Sequence, residues 1–374
     1  MKTIGDRSIG VGIIGASPER GWASDAHVPA LAALPGLDFV ALSTSRQASA
    51  DEAAARFGVA LAFDNHEALV ARPEVDVVAV TVKVPHHLEL VQAAIGAGKA
   101  VYCEWPLGNG LAEAVAMAAM AREAGVYAAV GLQARSSPAV AYLKHLVESG
   151  YVGEVLSSTI VADAINWGAD VLGCYRYLLD RGNGATMMSI PFGHTMDAFC
   201  WTLGEFAELS ATTAIRRPQV RLAETGELIA SDVPDQIAVS GILESGAVAS
   251  VHFRGGLSRG THFLWEINGT RGDLAIRAGG GHIQMLPLSL QGAQGDDRVM
   301  RELAIPEAFN NIGPLFADNP YAASVARAYV RLVDDFRSGK QSLPGFDDAV
   351  IRHRLLAAIE QAALTGQRQR YRTR

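Results

Sequence analysis

The sequence predicts an α/β plus α+β protein of two domains. The first is built on a parallel sheet, the second on an open, mainly antiparallel sheet with helices. Three observations carry this. Short apolar runs alternate with helical stretches through the first third of the chain. After Gln133 the rhythm changes to longer strands joined by tight turns. A chain of 374 residues, 49% hydrophobic and 19% charged, is long enough for two folded cores.

The elements follow in order. Residues 8–15, Ser-Ile-Gly-Val-Gly-Ile-Ile-Gly, form an apolar strand that ends in glycine. Residues 26–34 read as a helix of small and apolar side chains, 37–44 as a second strand and 50–57 as a second helix. Residues 75–82 are nearly all β-branched, as in a strand buried on both faces. A helix over 87–97 is stopped by Gly98, a strand covers 100–103, a helix over 111–124 closes on Gly125, and 127–132 is another strand. Strand and helix in alternation imply a parallel sheet with helices on both faces. Residues 137–148 form one more helix, ended by Gly150. Strands are then expected at 157–164, 209–215, 236–243, 248–253, 263–267 and 274–276, with tight turns at Glu244-Ser-Gly246 and Gly269-Thr-Arg-Gly272. Val325, Ala328, Tyr329, Leu332, Val333 and Phe336 recur at helical spacing and mark a core-facing helix, and 349–364 form the last helix. The domains are expected at 1–133 and 134–374, with the carboxy-terminal helices able to pack back on the first.

Thirty-two basic against 39 acidic side chains give a net charge of −7, which argues against a duplex nucleic-acid partner. The one basic cluster, Arg368, Arg370, Arg372 and Arg374, reads as a solvated tail. Cys103, Cys174 and Cys200 are too few and too scattered for a disulfide framework or a zinc site, and read as buried hydrophobes in a reducing compartment. No apolar run reaches membrane-spanning length. The amino terminus has Lys2 and Arg7, but its apolar run ends in a Gly/Ser/Pro loop rather than a cleavage site, so a cytoplasmic protein is expected.

The first strand runs into Gly15-Ala-Ser-Pro-Glu-Arg-Gly-Trp22 ahead of a helix, the setting of a dinucleotide phosphate site in a Rossmann domain. The usual G-x-G-x-x-G spacing is absent. Gly15 serves the tight turn, and Gly21 allows close backbone approach. At the end of the second strand, where an acidic residue would hold the 2′-hydroxyl of NAD, stands Ser43-Thr-Ser45-Arg46. Hydroxyls followed by Arg suit a 2′-phosphate, so the cofactor expected is NAD or NADP, with NADP favoured.

Three further segments, Val84-Pro-His-His87, Gly98-Lys-Ala-Val-Tyr-Cys-Glu-Trp-Pro-Leu107, and Gly182-Asn-Gly184 leading to Gly193-His-Thr-Met-Asp197, occur in an order and spacing that resemble the glucose–fructose oxidoreductase / inositol dehydrogenase / rhizopine catabolism family. The resemblance extends to Leu146-Val-Glu-Ser-Gly-Tyr-Val-Gly-Glu-Val155 and spans nearly the whole chain. It implies a Rossmann domain followed by an open-sheet domain. It also implies that Pro85 and His87 lie along the cofactor, that Glu104 sits near the nicotinamide ribose, and that His27 belongs to the first helix. His194 matches the active-site His and Asp197 the carboxylate one helical turn later, placed to orient His194 and to raise its pKa.

Two positions depart from the family pattern. The lysine after Glu104 is Trp105, and an Asp four residues before His194 is Ile190. Hydride exchange with an alcohol needs a proton acceptor or donor near the reacting oxygen. His194 remains, with Tyr175 and Tyr177 as further candidates. Gly15…Gly21-Trp22…His27-Val-Pro-Ala30, Glu104-Trp105 and Gln133-Ala-Arg135-Ser-Ser-Pro138 are most similar to the subgroup of the fungal galactose-pathway repressor. That likeness implies Trp22 and Trp105 as flat walls beside the cofactor, with Gln133 close by. Trp167 and Trp201 read first as core aromatics, with sugar stacking an alternative for Trp167. His86 and His87 have no partner at metal-ligand spacing, so no metal is expected.

The function expected is an NAD(P)-dependent oxidoreductase acting on a sugar, polyol or other small hydroxyl/carbonyl compound. The alternatives are a catalytically silent cofactor-binding regulator acting through a protein partner, and an NAD-assisted lyase or glycosidase. The open sheet, if apolar on its uncovered face, predicts a homo-dimer or tetramer.

Overall fold

The computed structural model describes residues 7–371, so Lys2, Arg372 and Arg374 lie outside the described residues. Along the chain the elements are β1 (Ile9–Ile14), a π turn (Ala23–His27) continued by α1 (Val28–Ala33), β2 (Leu37–Ser43), α2 (Gln47–Phe57), β3 (Leu61–Phe63), α3 (His66–Val70), β4 (Val77–Val80), α4 (His87–Gly96), β5 (Ala100–Glu104), α5 (Leu111–Ala124) and β6 (Ala128–Gly131). They continue as α6 (Pro138–Glu148), β7 (Val155–Ala164), β8 (Asp170–Val171), α7 (Gly193–Leu203), β9 (Phe206–Ala214), β10 (Gln219–Leu222), β11 (Leu228–Ala230), β12 (Gln236–Leu243) and β13 (Val248–Gly255). The last are β14 (Phe263–Gly269), β15 (Gly272–Ala278), β16 (Ser289–Gln294), β17 (Arg301–Glu302), α8 (Pro320–Ser338) and α9 (Phe346–Thr365).

The chain divides into two compact units, residues 1–133 with 311–350, and 134–310 with 351–374. The break after Gln133 coincides with the change of rhythm in the sequence. The segment 311–350 joins the first unit, where α8 lays its apolar stripe, including Val325, Tyr329, Leu332 and Phe336, into the core beside α1. Each such side chain is worth about 1.5–3 kcal/mol when buried, enough to draw a distant helix onto a sheet. Buried Asp335 on α8 accepts from Tyr127 Oη at 2.8 Å and from the backbone of Ser342 at 2.8 Å and Leu343 at 3.2 Å, fixing the turn after the helix.

The first unit's sheet has six parallel strands in the order β3-β2-β1-β4-β5-β6. β1, β4, β5 and β6 are buried along their whole length, which is why they read as continuous apolar runs. β3 and α3 lie outside the sequence reading because they are short and half-exposed. Only Asn65 signals α3, accepting from Ala68 N at 2.8 Å as its cap.

The second unit holds an eight-stranded sheet, β17-β16-β15-β14-β7-β13-β12-β9, antiparallel except where β7 lies parallel to β13. Its inner face carries Ile160, Ile237, Val239, Phe253, Trp265 and Leu274. The other face is exposed at Thr159, Ala238, Ser240, Ile242, Val248, Ser250 and His252. Those residues are mostly small or hydroxylated, with Ile242 and Val248 exposed among them and Val161 and Leu264 half-buried on the same face. β8, β10 and β11 make a small separate sheet. No helix among the described residues is long and apolar enough to cross a membrane.

Candidate functional site

In the first unit, β1 and β4 are neighbours at the point where strand order reverses, and the loops following them meet there. Gly15 leaves β1 with φ +101°, and a Cβ at that position would lie 2.7 Å from Val82 Cγ1, so only glycine fits the turn. Its N–H donates to Ser43 O at 2.9 Å, tying the ends of β1 and β2. Gly21 has φ +137° with no atom within 4 Å of a Cβ position, so here glycine is required by conformation and leaves the loop surface open. Trp22 then begins the helical run, its ring 6.0 Å from Tyr321 and its buried Nε1 without a hydrogen-bond partner. Ser43 is buried, while Ser45 and Arg46 are exposed. Thr44 Oγ1 holds that turn through Arg46 O at 2.9 Å and Ser49 Oγ at 2.6 Å. A phosphate-bearing dinucleotide fits these features: a glycine surface leading into a helix start, an orphaned indole N–H, and an exposed guanidinium at the end of β2.

Four elements converge on Glu104, the last residue of β5. His27 Nε2 lies 2.9 Å from Glu104 Oε1, and Gln133 Nε2 donates to both carboxylate oxygens at 2.9 and 2.7 Å. His27 Nδ1 lies 2.8 Å from Tyr329 Oη. Burial pushes the Tyr329 hydroxyl pKa well up, so it keeps its proton. Gly131 makes room, since a Cβ there would lie 2.8 Å from Glu104 Oε2. Trp105 follows, only 5% exposed. Pro85 is exposed on the turn after β4. His87 is buried, with Nδ1 at 3.0 and 3.2 Å from the carbonyls of Pro106 and Leu107 and Nε2 at 3.0 Å from that of Val82. Its ring therefore shapes the loop and faces inward, a placement the sequence did not disclose.

In the second unit, α7 carries His194 in its first turn and Asp197 one turn on. Both are buried. Arg135 clamps Asp197 from two nitrogens at 2.8 and 2.7 Å, and Arg352 Nε reaches it at 3.5 Å. Arg352 also donates to Glu205 at 2.8 and 3.3 Å, and Tyr371 Oη donates to Glu205 at 2.6 Å. Burial works to raise the Asp197 pKa, but the two guanidinium groups outweigh it and hold the carboxyl below its ordinary range. The expectation that Asp197 orients His194 and raises its pKa needs correction. The carboxylate spends its oxygens on arginines, and desolvation overrides its pull, pushing His194 down to about 3. His194 Nδ1 is buried without a partner. At neutral pH the ring is uncharged.

Residues the sequence reading missed lie beside it. His282 is buried and stacked on Trp167, ring centroids 6.1 Å apart and planes 16° apart, and burial pushes its pKa down to about 4. Trp167 donates to Leu178 O at 3.1 Å, in keeping with a core aromatic. Burial raises the Tyr177 pKa, and Tyr175 is 40% exposed. Among the described residues no group of three or more His, Cys, Asp and Glu is placed to hold a metal ion.

A parallel six-stranded sheet with a glycine turn at its switch point defines a dinucleotide-binding α/β protein, joined to an open-sheet unit bearing buried histidines. Residues 9–132 match the oxidoreductase family with an NAD-binding Rossmann fold, and residues 138–278 match the Gal80p C-terminal domain. The chain belongs to this oxidoreductase family, the glucose–fructose oxidoreductase / inositol dehydrogenase / rhizopine catabolism group. It is 32% identical to the dehydrogenase aclE of Aspergillus oryzae over 90% of this chain and 89% of that one. It is 25% identical to the galactose/lactose metabolism regulatory protein GAL80 of Saccharomyces cerevisiae over 96% and 93%. In fold it resembles levoglucosan dehydrogenase in complex with NADH and levoglucosan, with a TM-score of 0.84, 22% identity and coverage of 98% and 100%.

Proposed function

We propose that this chain is an NAD(P)-dependent oxidoreductase that exchanges hydride between nicotinamide and a carbon of a sugar, polyol or other small hydroxyl/carbonyl compound. The observation that carries the reading is His194: a buried, uncharged imidazole whose Nδ1 has no partner, on the helix where the family places its active-site His. The likeness to dehydrogenase aclE over nine-tenths of the chain supports it.

The cofactor supplies a hydride acceptor or donor when bound. Gly15, Gly21 and the helix start would hold its phosphates, Trp22 and Trp105 would flank it, and Glu104 with Gln133 would lie at its ribose. Ser43, Ser45 and Arg46 would meet a 2′-phosphate, so NADP is the preferred form. His194 would take the proton of a substrate hydroxyl. The ring is neutral well below pH 7, and its unpartnered Nδ1 faces no competing protein group for that hydroxyl. Asp197 would act on this step only by holding α7 in place through Arg135 and Arg352. The chain would work in the cytoplasm as a homo-dimer or tetramer through the uncovered sheet face.

A second reading is favoured by Trp105 and Ile190, which put apolar side chains where the family resemblance implies a lysine and an aspartate. In that reading the chain binds the cofactor without turnover and regulates a protein partner; the GAL80 relative is named a galactose/lactose metabolism regulatory protein.

The test is a titration with NADH and NADPH, read by energy transfer from tryptophan, followed by a turnover screen over sugars, polyols and small carbonyls. Turnover that falls about 10²–10⁴-fold in His194→Ala, with cofactor affinity unchanged, is the expected result. Cofactor binding with no turnover across the panel replaces this reading with the regulator.

A further inference from the structure

His282 sits where two elements of the second unit are forced together. Gly281 lies on the end of β7: its N–H donates to Asp163 O at 2.8 Å, and a Cβ there would lie 2.4 Å from that oxygen and 2.9 Å from Phe253 Cε1. Any side chain at 281 would lift the segment off the strand. On its other side Gly281 O accepts from Thr195 Oγ1 at 3.5 Å, and Thr195 adjoins His194 on α7. The backbone beyond is fixed too, because His282 O accepts from Met285 N and Leu286 N, both at 3.1 Å. The segment 281–282 is thus pinned between β7 and the first turn of α7, and it brings His282 beside His194.

The ring itself is held by packing alone. Trp167 stacks on it with planes 16° apart, and the indole is anchored through Nε1 to Leu178 O at 3.1 Å. Neither ring nitrogen of His282 makes a hydrogen bond within the described residues, and neither is fully sealed from solvent, although the residue is only 6% exposed. Its donor and acceptor are thus left to a ligand or to water. His194 Nδ1 and Asp163 Oδ1 are fully buried and without partners, which is costly unless something else satisfies them. The other oxygen of Asp163 is taken by Ser258 N and His262 Nδ1, each at 2.7 Å. Three polar groups, from β7, α7 and the segment after β15, are therefore near enough to act on one another, beside the indole of Trp167. That is the chemistry of a site for a compound carrying several hydroxyls.

We propose that His282 is a substrate-binding residue that hydrogen-bonds one hydroxyl of a sugar or polyol while His194 serves another. It supplies polar recognition that Trp105 and Ile190 do not. The proposal rests on the oxidoreductase reading for the identity of its ligand, and it makes no demand on the hydride step itself. Neutral imidazole donates through one nitrogen and accepts through the other, so it pairs with a hydroxyl in either sense. A site built to hydrogen-bond a hydroxyl discriminates strongly against analogues lacking it.

Two measurements separate this proposal from the reading beneath it. The first needs no turnover. With ¹⁵N-labelled histidine, the ring resonances of His282 and His194 are followed in the NADPH-loaded protein as levoglucosan, L-sorbose and myo-inositol are added in turn. His282 is assigned by its disappearance in His282→Gln. At least one probe is expected to shift both rings. A shift at His194 alone, or no response of His282 to any probe, overturns the proposal. The second uses the best substrate of the turnover screen. His282→Leu is expected to raise KM about 10–100-fold while NADPH affinity stays as in the wild type, and His282→Gln, which keeps a donor and an acceptor, to recover part of the loss. A KM unchanged in a folded His282→Leu protein overturns it. A wild type that turns nothing over but shows the His282 shift defeats only the oxidoreductase reading.

Discussion

His194 and His282 make the fold acid-sensitive in a way that can be calculated. Their ordinary pKa is 6.5, and burial lowers them to about 3 and about 4. Between those values and 6.5 the unfolded chain binds a proton at each site and the folded chain binds none. Stability therefore rises with pH across this window and falls as the pH drops through it, until the folded rings themselves protonate. Each pH unit is worth about 1.4 kcal/mol per site. From about pH 7.5 to about pH 5 the cost is about 2 kcal/mol for each ring and about 4 kcal/mol for the pair, a large share of the 5–15 kcal/mol that holds a typical domain together.

The perturbation is the double variant His194→Gln/His282→Gln, which keeps polar side chains but removes both titrations. The assay is urea unfolding of variant and wild type at several values of pH through this range. The wild type should lose about 4 kcal/mol more than the variant over the range, whatever their difference at neutral pH. His353, also buried and lowered to about 4, contributes equally to both proteins and cancels. Asp197 and Glu205 are held below their ordinary range, so they lose their contribution only at lower pH and cancel as well. Parallel stability curves would refute the reasoning, because they would mean that the rings are charged, or free to leave their burial, at pH 5.

Two further outcomes follow from the charges. Asp197→Ala leaves the Arg135 clamp and one side of Arg352 uncompensated in a buried setting, and should cost about 3–5 kcal/mol in thermal or urea unfolding. The double variant with Arg135→Ala should recover part of that, and no recovery would show that the clamp is not what Asp197 supplies. Arg46→Ala should weaken NADPH about tenfold or more and leave NADH unchanged, as read by tryptophan energy transfer. Equal effects on the two cofactors would assign Arg46 to the solvated surface.

What the sequence disclosed and what it hid divide along one physical line. β1, β2, β4, β5 and β6 of the first sheet, the helix bounds around Gly98 and Gly125, and the hairpin of β12 and β13 each rest on local patterns: an apolar run, a glycine stop, a tight turn. These were legible. β3, β8, β10, β11, β16 and β17 were not, because most are short and partly exposed and so show no period. The site divides the same way. Glycines in a strand-to-helix loop are a local pattern that suits either a phosphate site or an ordinary strand-to-helix turn. The partners of Glu104 come from three other places in the chain, and Tyr329 looks like one more member of an apolar stripe until its hydroxyl is found 2.8 Å from His27 Nδ1. Asp197 is the sharpest case. Spacing put it one turn from His194 and suggested an imidazolium partner. Arg352, 155 positions away, shares that carboxylate with Arg135 and changes its meaning.

The same line explains why the departures at Trp105 and Ile190 do not empty the site of chemistry. Reading the motif alone, one polar group remains where three are usual. The fold brings in others from outside the motif: His282, seated by a glycine that tolerates no side chain, and Asp163, whose Oδ1 remains unsatisfied. Leaving Asp163 Oδ1 and His194 Nδ1 buried and unpaired costs about 1–3 kcal/mol each, so a chain without use for them would gain stability by replacing them. That is a standing cost in the free protein which a hydroxylated ligand reaching His282 and His194 would relieve, and which ties ligand affinity and acid sensitivity to the same place in the fold.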